Sequence, residues 1–126
     1  MKIAALITRL LLGLVFTVFG ANGFFHFLPT PPLPAGLASQ FLMALAQSHY
    51  VFVPFAVQLI GGILLLVNRY VPLAITILGP VIVNILCFHI FLERSGLPIA
   101  MVTAILWFFL FYNYRQAFAG IFQQRA

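Results

Sequence analysis

Four long apolar runs, separated by short polar or proline-rich connections, constrain the fold of this chain more than any other feature. Its 126 residues are 64% hydrophobic and 6% charged, whereas a soluble domain carries roughly a quarter charged residues. The mean hydropathy is +1.18. A chain this short has too little polar surface to cover so much apolar area in water. The sequence therefore predicts an integral membrane protein.

Each apolar run is long enough to cross a bilayer, whose hydrocarbon core takes about 20 helical residues. The predicted spans are 3–28, 51–68, 72–92 and 98–115. Because short connections favour antiparallel neighbours, the predicted fold is an all-α, four-helix transmembrane bundle that forms one domain over 1–126. The first run follows Lys2 as the apolar part of a signal peptide would. Its length, the Arg9 within it and the absence of a small-x-small cleavage pattern favour a spanning helix instead.

The connection between the first two spans, 29–50, has two parts. The segment PTPPLPAG at 29–36 holds four prolines in eight residues, so it cannot continue a helix. In the following segment, apolar side chains recur at Leu37, Phe41 and Leu45, which is a helical spacing. We therefore expect a short interfacial helix, uncharged and lying on the membrane surface.

The basic residues predict the orientation of the bundle. One predicted side holds five of them and the other side holds Arg94 alone; the five are Lys2, Arg9, Arg69, Arg115 and Arg125. The positive-inside rule then places both termini in the cytoplasm and the connection 29–50 outside. Because these residues are scattered singly, they do not form a nucleic-acid patch. Arg9 is close enough to the inner surface for its side chain to reach water along the helix.

The stretch Gly79–Glu93, with the sequence GPVIVNILCFHIFLE, combines an apolar helix with polar side chains. A polar side chain at membrane depth costs a few kcal/mol unless it is paired or hydrated, so each one needs a reason. Counting from the outer helix ends places six such residues in the outer half of the bundle: Asn22, His26, Gln58, Asn84, His89 and Glu93. Together they predict an outward-facing ligand-binding pocket.

Simpler roles stay open for the same residues. An interhelical hydrogen bond, worth about 0.6 kcal/mol on average, would account for Asn22, Gln58 or Asn84 taken alone. Glu93 could pair with Arg94 or hold the helix end. Asn84 and His89 are five residues apart, about 140° around an ideal helix, so they share a pocket only if the bend expected at Pro80 turns them together.

The chain offers little for covalent or metal chemistry. Its single cysteine, Cys87, excludes an intramolecular disulfide and is expected to be a small buried hydrophobe. No nucleophile with its base and no standard metal site is recognisable, so no catalytic residue is predicted. A haem between His26 and His89 would need opposed imidazoles at one depth and is the less favoured use of these histidines.

Glycines predict where the helices approach one another. Gly13, Gly20 and Gly23 lie on the first span, and Gly61 and Gly62 lie near the middle of the second. Small residues let transmembrane helices pack closely, so these positions are expected to form helix contacts.

Several segments together resemble the DoxX family of small bacterial membrane proteins. They are RLLLG at 9–13, FGANGFF at 19–25, GGILLL at 61–66, RYVPLA at 69–74 and PVIVN at 80–84, in that order. The resemblance implies a four-helix bundle in the bacterial cytoplasmic membrane. The family takes its name from a subunit of a thiosulfate:quinone oxidoreductase, which directs attention to quinones.

Two functions follow as hypotheses. The first is a non-catalytic or redox-linked membrane subunit that binds a quinone-like or other amphipathic molecule in the outer pocket, with electrons supplied by a partner subunit. The second is an assembly factor that stabilises another membrane protein. We predict no intrinsic cofactor, with a quinone or a lipid as the bound molecule. Besides the bilayer, the sequence leaves the partner open between a redox subunit, another membrane protein and a second copy of the chain.

Overall fold

The computed structural model describes residues 2–28 and 35–122, and within them the chain is helical, with no β-strand. The five α-helices are α1 (Lys2–Phe25), α2 (Leu37–Gln47), α3 (Phe52–Val67), α4 (Val71–Phe91) and α5 (Leu97–Asn113). Two 3₁₀ segments, Arg94–Gly96 and Arg115–Phe122, precede and follow α5. The predicted all-α class is confirmed. Most of the proline-rich segment, and Arg125, lie outside the described residues.

Three helical stretches are long and apolar enough to cross a membrane: Lys2–Phe25, Val71–Phe91 and Arg94–Asn113. Helices α2 and α3 pass the same test only together, and they are bent by 82° where they meet. His49 makes this bend with a left-handed backbone, φ 64°, and the Ser48 hydroxyl accepts a hydrogen bond from the Tyr50 N–H at 3.2 Å. The described residues thus hold three candidate spans, or four if the bent pair counts as one.

The helices surround a common apolar core. Helix α1 packs on α3, α3 on α4, α4 on α5, and α5 returns to α1. The largest fully buried side chains come from all four helices; they are Leu12, Phe16, Leu65, Ile75, Leu78 and Leu110. Large apolar side chains also cover the outer faces, as in Ile3, Ile60 and Ile105. An apolar exterior around an apolar core is what a lipid environment requires.

Helices α1 and α3 make the closest contact. A Cβ atom placed on Gly20 would lie 2.6 Å from the backbone nitrogen of Leu59, and one on Gly62 would lie 2.5 Å from that of Thr17. Contacts of this kind are made against backbone, which cannot rotate away. The Thr17 hydroxyl is buried in the same seam and has no hydrogen-bond partner among the described residues. The predicted role of these glycines in close packing is confirmed.

A side-chain hydrogen bond links α5 to α4 close to the proline of α4. Pro80 has no N–H, so the carbonyl of Thr76 loses its usual partner, yet α4 continues as one helix to Phe91. The neighbouring carbonyl of Ile75 accepts a hydrogen bond from the indole N–H of Trp107, at 3.0 Å. The Trp107 ring also stacks on Phe111, with 5.4 Å between ring centroids. Trp107 therefore attaches α5 to the turn of α4 that precedes the proline.

The glycine seam predicts opposite effects for two alanine substitutions. Gly62→Ala should destabilise the fold by about 1–3 kcal/mol, because the added methyl group overpacks the contact with Thr17. Gly120→Ala, in the 3₁₀ segment Arg115–Phe122, is the control, since a Cβ atom there would meet no atom of the described residues within 4 Å. It should be neutral or slightly stabilising, because alanine is the better helix former. Thermal unfolding in detergent measures both, and equal midpoints for the two variants would contradict the proposed packing.

The link between α4 and α5 predicts a smaller effect. Trp107→Phe keeps the ring stack but removes the N–H donor, which should cost about 1 kcal/mol. Ile105→Leu, on the exposed side of the same helix, is the control and should change stability less. Denaturant unfolding followed by circular dichroism compares them. A Trp107→Phe variant as stable as the wild type would show that the hydrogen bond contributes nothing.

Candidate functional site

The C-terminal half of α4 presents an amide to an apolar groove, which is called the outer groove after the orientation predicted from the sequence. The groove has a volume of about 290 Å³ and is lined by Phe41, Asn84, Cys87, Phe88, Phe91 and Leu92. Asn84 is exposed, and its Nδ2 donates a hydrogen bond to the backbone oxygen of Pro80 at 2.8 Å. That bond fixes the orientation of the amide. It leaves the second N–H and the Oδ1 lone pairs of Asn84 for a bound molecule.

Helix α2 supplies the second wall of this outer groove. Phe41 of α2 packs against Phe88 of α4, with ring centroids 5.8 Å apart.

Cys87 is exposed, so the expectation that it is buried was wrong. The reason is its position on α4: it follows Asn84 by three residues and so shares its outward face, whereas the core face carries Leu78 and Ile82.

His89 lies in different surroundings from Asn84. Its Nδ1 is 2.9 Å from the backbone oxygen of Glu93, and its ring packs so closely on Gly96 that a Cβ atom there would overlap it. The ring also meets Phe88 edge-on, at 5.2 Å. The five-residue separation from Asn84 therefore has the effect expected of a continuous helix. Asn84 faces the outer groove and His89 faces the turn that leads into α5.

Glu93 holds that same turn. Its Oε1 accepts a hydrogen bond from the backbone N–H of Ser95, at 3.3 Å, and so caps the 3₁₀ segment Arg94–Gly96. The Arg94 side chain donates to the backbone oxygen of Ile90, at 3.4 Å. Of the two structural roles that the sequence left open for Glu93, the capping of a helical turn is the one its contacts show.

The remaining predicted residues lie on α1 and α3. Asn22 Oδ1 accepts a hydrogen bond from the backbone N–H of Leu28, at 2.8 Å, and thereby closes the end of α1. His26 follows with an exposed side chain and a left-handed backbone, φ 52°. Gln58 is 9% exposed, on the same buried face of α3 as Gly62. Of the six predicted residues, Asn84 lines the outer groove, and His89 and Glu93 share the adjoining turn.

A second and larger cavity lies at the opposite end of the helices. It has a volume of about 370 Å³, and its polar lining residues are Lys2, Arg9, Asn68, Asn113 and Tyr114. The first turns of α1 meet the C-terminal ends of α3 and α5 there. The sequence placed Arg9 near this surface but did not predict a cavity. A polar residue follows or ends the apolar run at each of these helix ends, and this sequence pattern could have indicated the cavity.

Arg9 is one of the side chains that line this cavity, which is called the inner recess after the orientation predicted from the sequence. It is 8% exposed, so the expectation that it extends along the helix to water was wrong. Its guanidinium instead donates to the backbone oxygen of Leu65. That carbonyl belongs to the last turn of α3, where carbonyls lack intrahelical partners and attract cations. Arg9 therefore caps α3 from the neighbouring helix.

Comparison with known proteins and a search for metal ligands add no further assignment. No family model, curated protein or solved structure matches the chain. Among the residues that the structure describes, no group of three His, Cys, Asp or Glu side chains could hold a metal ion. The candidate sites are therefore interpreted from their own geometry.

The contact between His89 and Gly96 predicts that this turn tolerates no added methyl group. Gly96→Ala should displace the His89 ring and cost about 1–3 kcal/mol of stability. Ser95→Ala is the control, because the turn uses the backbone N–H of Ser95. Thermal unfolding of the two variants decides the point. An unchanged midpoint for Gly96→Ala would mean that the ring moves aside freely.

Proposed function

We propose that the chain is a four-span membrane protein that binds a quinone-like or other amphipathic small molecule in the outer groove between α2 and α4. The observation that carries this proposal is Asn84, a fixed amide among aromatic side chains. Ligand sites commonly combine apolar walls with a few well-placed polar groups.

The arrangement of the helix ends supports an orientation with both termini in the cytoplasm. Lys2 and Arg9 line the inner recess together with Asn68 and Tyr114, which immediately precede Arg69 and Arg115. Four basic residues thus belong to one end, and Arg94 follows α4 at the other end. The positive-inside rule assigns the basic end to the cytoplasm. In this orientation, α2 lies along the outer membrane surface, and α3 joins α1, α4 and α5 as a membrane-spanning helix.

The outer groove suits a flat amphipathic ring. Phe41, Phe88 and Phe91 provide aromatic surfaces, and Phe91 is 78% exposed at the mouth of the groove, where a molecule dissolved in lipid could enter. The free N–H of Asn84 can donate to a quinone carbonyl, and its Oδ1 can accept from the hydroxyl of the reduced form. A single amide therefore accommodates both redox states.

The proposed role is that of a non-catalytic or redox-linked subunit. The chain would bind and orient the molecule, and a partner subunit would supply the electrons. The ordered segments that resemble the DoxX family support this view, and location in a bacterial cytoplasmic membrane is part of the same proposal.

Cys87 provides a built-in test, because it is the chain's single cysteine and lines the outer groove. The purified protein is treated with an apolar maleimide, with and without a short-chain quinone. The quinone should slow labelling of Cys87 several-fold in the wild type. It should give much less protection in Asn84→Leu, which loses the hydrogen bond. His26→Ala, outside the groove, is the control and should keep the wild-type protection.

Two results would contradict quinone binding at this place. One is a labelling rate that the quinone leaves unchanged, and the other is equal protection in Asn84→Leu and the wild type. If protection is absent while crosslinking in membranes recovers a specific protein whose level falls on deletion of this chain, the assembly-factor hypothesis takes its place.

A further inference from the structure

The inner recess has a chemistry that the proposed quinone-binding role does not use. It is lined by two cationic side chains, Lys2 and Arg9, and lies at the end of the molecule opposite the outer groove. We propose that this recess binds the phosphate group of an anionic phospholipid. The proposal is independent of what occupies the outer groove.

The buried Arg9 is the first observation that points to an anion. A guanidinium stays charged at any physiological pH, and a buried cation without a counter-ion is costly. Arg9 uses one hydrogen bond on the Leu65 carbonyl and has further N–H donors. The chain's single acid, Glu93, caps a turn beyond the other end of α4. No acidic side chain of this chain therefore neutralises Arg9, and an external anion can.

The helix ends around the recess do not cancel its positive charge. The N-terminus of α1 contributes about half a positive charge, and the C-termini of α3 and α5 contribute about half a negative charge each. With Lys2 and Arg9 included, the recess carries about 1.5 positive charges. An anion is therefore attracted, even though two helices end there with their carbonyls.

The polar lining provides donors of the kind that phosphate oxygens accept. Lys2 is exposed at the mouth, and Arg9 lies inside. The side chains of Asn68 and Tyr114 add neutral donors, whereas the Nδ2 of Asn113 is already engaged by the Phe109 carbonyl, at 2.9 Å. Hydrogen bonds from charged donors to phosphate are roughly twice as strong as neutral ones.

A lipid headgroup explains the surface beside the recess better than free phosphate does. An exposed apolar stripe runs along α1 from this end, through Ile3, Leu6, Leu10 and Leu14. Leu6 both lines the recess and belongs to the stripe. A phosphate held by Lys2 and Arg9 would thus have an apolar track for its acyl chains. In the proposed orientation, this end of the helices lies at the cytoplasmic headgroup level, where anionic lipids attract basic residues.

The test compares phospholipids on the purified full-length protein by native mass spectrometry. Phosphatidylglycerol should bind more tightly than phosphatidylcholine. Lys2→Gln should weaken phosphatidylglycerol binding about fivefold, since one basic residue near an anionic headgroup is worth about that much. Lys2 is exposed, so this variant should fold normally. Arg94→Gln removes one positive charge at the opposite end and should leave the affinity unchanged. Arg9→Gln should weaken binding further but also destabilise α3.

A second measurement separates the two sources of phosphate. Thermal unfolding is followed in detergent with added phosphatidylglycerol, or with inorganic phosphate against chloride at equal ionic strength. A midpoint raised by the lipid alone supports a headgroup site. A midpoint raised equally by inorganic phosphate supports a phosphate site but overturns its assignment to lipid. Equal binding of both phospholipids, or equal losses in Lys2→Gln and Arg94→Gln, would overturn the site itself.

Discussion

The close approach of α1 and α3 is the contact on which the other features depend. In lipid, helices gain little from the hydrophobic effect and associate through packing, which small residues improve. Gly20 and Gly62 bring the two backbones together, and one consequence is a buried Thr17 hydroxyl without a partner in the described part of the chain. The same proximity lets Arg9 of α1 reach the Leu65 carbonyl at the end of α3. The glycine seam therefore also shapes the inner recess.

Helix α4 lines the outer groove, and hydrogen bonds hold its backbone and side chains at several places. Pro80 removes one hydrogen-bond donor, and Trp107 of α5 attaches to the carbonyl of Ile75 one turn earlier. The Pro80 carbonyl, in turn, holds the amide of Asn84. Beyond the groove, Glu93 fixes the turn into α5. The polar groups of this helix therefore stabilise its own structure first. Asn84 is the one whose remaining hydrogen-bonding groups face a cavity.

The sequence predicted the helices and their glycine contacts because both depend on local composition. It also identified the angle between Asn84 and His89 as an obstacle to a shared pocket, which their separate surroundings bear out. It could not predict the burial of Arg9, because the partner carbonyl lies 56 residues away in the chain. The exposure of Cys87 follows from the face of α4 that it shares with Asn84, and the sequence did not show which face of α4 would meet the core. The sequence therefore indicated which residues allow close packing, but not which partner a polar side chain meets or which face of a helix is covered.

In the proposed four-span arrangement, the short length of α3 has a consequence for the surrounding membrane. Its 16 residues span about 24 Å, less than the hydrocarbon thickness of about 30 Å. Its neighbour α1 has 24 residues and reaches about 36 Å, so hydrophobic mismatch has opposite signs on adjacent helices. Tilting relieves the mismatch of the long helix, whereas the short one draws the bilayer thinner beside it. Such a protein would fit best in a thin membrane, or where neighbouring proteins already make the bilayer thinner.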